Sequence, residues 1–295
     1  MEKAIHSGRS KASALGKKGA GRSAYVMKPE SLALVENFRL MDDTFMSKCL
    51  ENAPECIELI LRIIIGKKDL KVIKSQTEYP IKSLQGRGVR FDVFARDSKG
   101  REYDIEIQRA DKGADPKRAR YNSALMDANA LKSGEDFGKL RDTYVIIITE
   151  NDVMGRGQGV YVFDRMDKKS GLDFGDGAHV VYANGMWRGD DALGRLMCDF
   201  NCRDANKMHY DVLKKRVSQL KDSEEGRRIM CKAVEEFAER RAAEAKAEGK
   251  REGKREGMLA SAKRMLESGM LALKDIAKFS GLSLVQVKKL QASMA

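Results

Sequence analysis

Asp92 and Glu106 are the side chains on which chemistry could turn. Each lies in a run of alternating apolar residues, Gly88-Val89-Arg90-Phe91-Asp92-Val93-Phe94 and Tyr103-Asp104-Ile105-Glu106-Ile107-Gln108-Arg109. Such alternation predicts two strands, and the turn formers between them (Asp97, Ser98, Gly100) predict a hairpin. A five-residue loop from Asp97 to Arg101 sets Asp92 directly opposite Glu106, whereas a four-residue loop turns the two to opposite faces. On the second strand Asp104, Glu106 and Gln108 share one face, and Tyr103, Ile105 and Ile107 the other. Three polar groups on one face of a central strand make a poor core unless that face lines a site. Two facing carboxylates can share a divalent cation such as Mg²⁺, which is usually held by one or two carboxylates together with phosphate oxygens. A cation so placed offsets charge on a phosphodiester and activates water against it.

The elements that must position this pair follow from the flanking sequence. Residues 31–61 read as mostly helical, with Phe38, Met41, Phe45 and Cys49 forming one apolar stripe. Pro54 opens a second helix that ends at Gly66. Segments 70–73 and 76–81 read as extended, and Gln85 to Gly88 as a turn. After the hairpin come a loop over 110–116 and a helix over 117–131. The run Thr143 to Thr149 reads as a strand buried on both faces. Further strands are expected at 160–163 and 179–182. This order predicts an α/β fold, a sheet with helices packed on it.

Beyond Asp190 the pattern is helical throughout. Residues 243–258 repeat in fours (Ala-Glu-Ala-Lys, Ala-Glu-Gly-Lys, Arg-Glu-Gly-Lys, Arg-Glu-Gly-Met), a solvated helical connector in which each Gly costs about 1 kcal/mol relative to Ala. Residues 259–290 hold three short helical patterns, 261–266, 273–279 and 284–291, and Ser283 with Gln286 forms a capping box before the last. The spacing suits a helix-turn-helix; a trihelical interaction domain that never enters a groove fits equally. The expected organisation is a disordered basic arm over 1–28, a core over 29–205, the connector over 206–258 and the small helical tail over 259–295.

The formal charge of +12 favours a polyanionic partner. The arm alone carries seven Lys or Arg against one Glu, with no apolar stretch of the kind a signal peptide needs. No run of about twenty apolar residues occurs, so no membrane span is expected. Five scattered cysteines are those of a cytoplasmic protein with reduced thiols. Cys198 and Cys202 near His209 lack the second pair that a zinc site needs.

Residues 38–199 resemble the PD-(D/E)XK nuclease superfamily, and within it the recombination-promoting nuclease and transposase family. The resemblance is carried by Asp42-Asp43-Thr44-Phe45-Met46-Ser47-Lys48, Gly86 to Asp92, Tyr103 to Arg109, Lys117-Arg118-Ala119-Arg120-Tyr121-Asn122 and Thr143 to Asn151, in that order. It implies a restriction-endonuclease-like mixed sheet flanked by helices and followed by an α-helical C-terminal extension. It also implies Mg²⁺- or Mn²⁺-dependent cleavage of DNA in the manner of mobile-element enzymes, an activity that can promote DNA recombination, while the biological process served stays open. By position, Asp92 is the family's metal-binding Asp and Glu106 the acidic residue of the (D/E)-x-K element. Gln108 stands where the superfamily's Lys would be. A neutral amide can orient water but adds no charge and is no base at pH 7. Asp43 becomes a third acidic contributor, its alternative being charge at a helix start. Arg118, Arg120 and Tyr121 become phosphate contacts, with a structural role as the alternative for the last two. The competing expectation is a weak or inactive nuclease-fold protein that binds DNA or assembles on it; RNA stays open as a substrate. A homodimer is expected on the ground that cutting two strands wants two sites.

Overall fold

A computed structural model describes residues 26–83 and 86–294. The basic arm, up to residue 25, and Gln85 of the turn before the hairpin lie outside the described residues. Three helices open the structure: α1 (Pro29–Asn37), α2 (Asp43–Leu50) and α3 (Pro54–Ile65). Pro54 occupies the first turn of α3, and Gly66 ends it in the left-handed conformation (φ 73°), which glycine adopts without a Cβ clash.

The single stripe from Phe38 to Cys49 is split, because the chain leaves helical geometry over 38–42. The break is held by polar groups that periodicity does not register. Lys221 Nζ, brought from far along the chain, donates to the carbonyls of Glu36 (3.1 Å), Phe38 (2.5 Å) and Arg203 (2.6 Å). It thereby satisfies carbonyls that the end of α1 leaves unpaired. The Asp42 carboxylate accepts the Arg39 N–H at 2.7 Å.

Six strands form one mixed sheet: β1 (Val72–Ile81), β2 (Val89–Asp97), β3 (Glu102–Gln108), β4 (Thr143–Thr149), β5 (Val160–Phe163) and β6 (Ala178–Asn184), in the order β1-β2-β3-β4-β6-β5. The β1-β2-β3 meander and the β5-β6 pair are antiparallel, while β3-β4 and β4-β6 are parallel. The parallel step from β3 to β4 is made through α4 (Pro116–Ala130). β4 is buried at every residue, as its apolar run predicts.

Two apolar layers sandwich the sheet. On one side Val93, Ala95, Tyr103, Ile105, Ile107, Ile146 and Ile148 meet the helices that precede β1 and follow β6. On the other, Phe94, Val145, Ile147 and Tyr182 pack beneath Ala119, Leu125 and Met126 of α4. The first layer does not stop at residue 205. It continues through Leu213, Val217 and Leu220 of α6 (Asp211–Asp222) to Met230 and Cys231 of α7 (Glu224–Ser268), after α5 (Ala192–Asn201). α7 is a single helix of 45 residues, about 67 Å long. It absorbs the four-residue repeat and the 261–266 pattern without a break, so only α8 (Leu273–Ser280) and α9 (Leu284–Ala292) follow it. The capping box between Ser283 and Gln286 is present. This tail has its own apolar cluster of Ala262, Ile276, Leu282 and Val287. Among the described residues no helix is long and apolar enough to cross a membrane.

Candidate active site

The hairpin turn sets the site. Asp97 Oδ1 accepts the N–H groups of Lys99 (2.9 Å) and Arg101 (3.0 Å), and Oδ2 accepts Arg101 Nε (2.6 Å) and the Tyr103 hydroxyl (2.9 Å). Gly100 supplies the left-handed residue the turn requires (φ 82°). These bonds close the loop so that Arg96 pairs with Glu102, Ala95 with Tyr103, Phe94 with Asp104 and Val93 with Ile105. One step further along this register Asp92 stands opposite Glu106, the pairing that a five-residue loop predicts.

The ladder ends at that step, and the Asp92 carboxylate takes over from the backbone by accepting the Ile107 N–H at 3.0 Å. The neighbouring edge is distorted at the same level, for Glu78 of β1 holds a left-handed conformation (φ 49°). A non-glycine residue in this region costs of order 1–3 kcal/mol, and such strain gathers at functional sites.

Behind the pair lies a buried polar layer. Glu106 and Asp104 are 1% and 0% exposed. Glu106 Oε2 binds Arg118 Nη2 of α4 and lies 3.3 Å from Gln108 Nε2. Asp104 Oδ2 accepts Asn122 Nδ2 at 2.8 Å. Glu106 Oε1, Asp104 Oδ1 and Asn122 Oδ1 are buried without a hydrogen-bond partner. Each orphan of this kind costs about 1–3 kcal/mol. Burial pushes the Asp92 carboxyl well above the ordinary range, the charges of Glu106 and Asp43 push it further, and the Ile107 N–H and Arg118 pull it back. Glu106 is also raised, by burial, with Arg118 opposing.

Asp43 stands in the first turn of α2, at the rim, within electrostatic reach of both acids. Its own carboxyl is raised by desolvation, opposed by Arg90 and reinforced by Glu78. Among the described residues no three His, Cys, Asp or Glu side chains converge as a ready-made cation site. What fits a divalent cation is a pair of oxygen donors: Asp92, destabilised by its acidic neighbours, and Glu106, with one buried oxygen unclaimed. Water and phosphate oxygens would complete such a shell.

Arg118, Arg120 and Tyr121 all line a cavity of about 750 Å³ beside this pair, together with Arg87, Arg90, Lys112 and Lys117; Asp115 is its one acidic lining residue. Tyr121 has a structural task there, its hydroxyl donating to the Arg87 carbonyl at 2.6 Å. Arg87, Arg90, Lys112 and Lys117 are additions to the sequence reading. Arg87, Lys112 and Lys117 sit in a turn and at helix starts that carry no periodic signal, and Arg90 is a polar position of β2 whose alternation says nothing of what it faces.

A second addition is an ion cluster at the ends of β3 and β4. Arg39 binds Glu150 at 2.8 Å, Arg109 binds Glu150 at 3.2 Å and Asp42 at 2.7 Å, and Asp42 also holds the Arg39 backbone. It ties the chain before α2 to the strand that bears Glu106 and Gln108. The only sequence trace is opposite charge immediately after two strands. All five cysteines are free, and among the described residues Cys198 and Cys202 belong to no group of three or more His, Cys, Asp or Glu side chains that could hold a metal ion.

Residues 49–184 match the family described as PD-(D/E)XK nuclease family transposase. The match spans a little under half of the chain, and the mixed six-stranded sheet with flanking helices and a C-terminal helical region is consistent with the fold of that family. The match supports a nuclease or transposase-like function and DNA as the substrate of the family. Asp43 precedes the matched stretch, whereas Asp92, Glu106, Gln108, Arg118, Arg120 and Tyr121 lie within it. No curated protein and no solved structure matches the chain.

Proposed function

We propose, from that family match, that this protein is a metal-dependent DNA endonuclease of mobile-element type, cutting phosphodiester bonds by hydrolysis and promoting DNA recombination. The observation that carries the reading is the Asp92–Glu106 pair, with Glu106 Oε1 unclaimed, opening beside a cleft lined by six Arg and Lys residues.

Asp92 and Glu106 would hold Mg²⁺ or Mn²⁺, with Asp43 contributing charge from the rim. The cation supplies charge neutralisation at the scissile phosphate and lowers the pKa of bound water. Arg118 and Arg120 hold the phosphates through guanidinium forks, and Tyr121 fixes the loop that carries Arg87. The Gln108 amide orients the Glu106 carboxylate through Nε2; being neutral, it takes no proton from water at pH 7. A cytoplasmic location belongs to the same reading, and cutting both strands favours a homodimer that presents two sites.

Purified protein is expected to nick and linearise plasmid with Mg²⁺ or Mn²⁺ and to stop with EDTA. Asp92→Ala and Glu106→Ala should each lower the rate at least about 100-fold. An Asp92→Ala protein that cuts as fast as wild type would remove the site assignment. One observation favours a non-enzymatic DNA-binding role, namely that Glu106 is already engaged by Arg118. Tight, salt-sensitive binding without cleavage under any divalent ion would establish it.

A further inference from the structure

The Glu106 carboxylate is unequally engaged. Oε2 receives Arg118 Nη2 and the weaker approach of Gln108 Nε2, while Oε1 receives no N–H donor and the side chain lies against the buried Asp104 carboxyl. Arg118 is not confined to that task. Its side chain is 42% exposed against 2% for Glu106, it lines the basic cleft, and its other hydrogen bond, to the Gly113 carbonyl, is a long 3.4 Å. A guanidinium has five N–H donors, so most of its capacity faces the space a phosphate would enter. The same cation therefore stands between a buried acid and the cleft, next to a position, Gln108, that brings no charge of its own.

We propose that Arg118 is an exchanging positioning residue. Without nucleic acid it pairs with Glu106 and keeps that carboxylate from a divalent cation. When a backbone phosphate enters the cleft, the guanidinium turns to it, releases Glu106, and brings to the phosphate the positive charge that Gln108 lacks. This rests on the nuclease reading of the cleft. The exposed guanidinium can turn toward the cleft without leaving the core, and a guanidinium–phosphate fork is a strong replacement. Glu106 left alone would be a buried, uncompensated charge. Arg118 thus leaves most readily when a cation takes its place, which couples cation binding to substrate binding reciprocally.

The test is calorimetric titration of the full chain with Mn²⁺ alone, without nucleic acid. A latch closed about nine-tenths of the time weakens apparent affinity about tenfold. Arg118→Ala and Arg118→Gln should therefore each bind Mn²⁺ about tenfold more tightly than wild type, and adding Glu106→Gln should abolish the gain. In the plasmid assay Arg118→Ala should cut more slowly in spite of its tighter Mn²⁺, and Gln108→Lys introduced into Arg118→Ala should recover cleavage. Mn²⁺ affinity that is equal or weaker in both Arg118 variants overturns the latch, as does an absence of Mn²⁺ binding to all of them. No recovery by Gln108→Lys overturns the transfer of charge to the phosphate. Tightened Mn²⁺ binding with a wild type that cuts neither DNA nor RNA rejects the nuclease reading and leaves the Glu106–Arg118 latch standing.

Discussion

Asp92 is held against its own charge. In the unfolded chain it titrates near 3.8, and in the fold burial, then Glu106 and Asp43, raise it well above that. The folded state therefore binds this proton more tightly than the unfolded one. Stability falls as pH rises from the unfolded value through the folded one, and the full penalty is present above the latter. Asn has the same shape and no charge to repel. Asp92→Asn is accordingly expected to be more stable than wild type at pH 8, by about 1 kcal/mol, with the gap closing as pH falls toward 4. The same variant should lose cleavage, since the repulsion that destabilises the acid is what recruits a cation. Thermal melts at pH 5 and pH 8 beside a plasmid assay check both halves. A variant less stable than wild type at pH 8 would mean that Asp92 is stabilised by a partner rather than strained by its neighbours.

At the scale of elements, the hairpin converts a local turn into a site. Asp97 is fully buried, yet the bonds from Arg101 and Tyr103 outweigh burial and hold its carboxyl below the ordinary range. Its contribution to stability is thus present above the unfolded pKa and lost as pH falls through the folded one. Asp97→Ala leaves Arg101 buried without its counter-ion, which costs about 3 kcal/mol, and frees the register that sets Asp92 against Glu106. Urea melts should show that loss together with a flattened acid limb, and cleavage should drop although no residue of the cleft has changed. A loss under about 1 kcal/mol would show that the turn is fixed by Gly100 and the strands alone. This register was legible because turn formers and alternation are local signals, and the same holds for buried β4, for Pro54 and Gly66 around α3, and for the cap at Ser283. The break at 38–42 was not legible. Phe38, Met41, Phe45 and Cys49 keep helical spacing through it, and the group that holds it, Lys221, lies more than 180 residues away. The Arg118–Glu106 pair escaped for a related reason: both residues were singled out, but their contact depends on α4 lying across β3, which spacing along the chain does not encode. Glu78 gave no sign at all, because nothing about its type favours the left-handed region.

At the scale of the molecule the question is which surface meets the nucleic acid, the cleft or the helical tail. The cleft offers Arg87, Arg90, Lys112, Lys117, Arg118 and Arg120 to a backbone. Six phosphate contacts on a duplex give a slope of log affinity against log salt of about −5. The tail's apolar cluster is separate from the two layers around the sheet, and the α7 residues between 242 and 257 are exposed. A chain ending at Gly257 therefore removes the whole tail cluster and leaves both sheet layers whole. It is expected to melt as the full chain does and to keep a slope near −5 for duplex DNA. Arg87→Ala with Arg90→Ala in that shortened chain should bring the slope to about −3, since each lost phosphate contact subtracts roughly one. If shortening instead collapses the slope toward zero while the double variant changes nothing, the tail is the nucleic-acid surface. The cations around Asp92 and Glu106 would then serve only to balance buried acid.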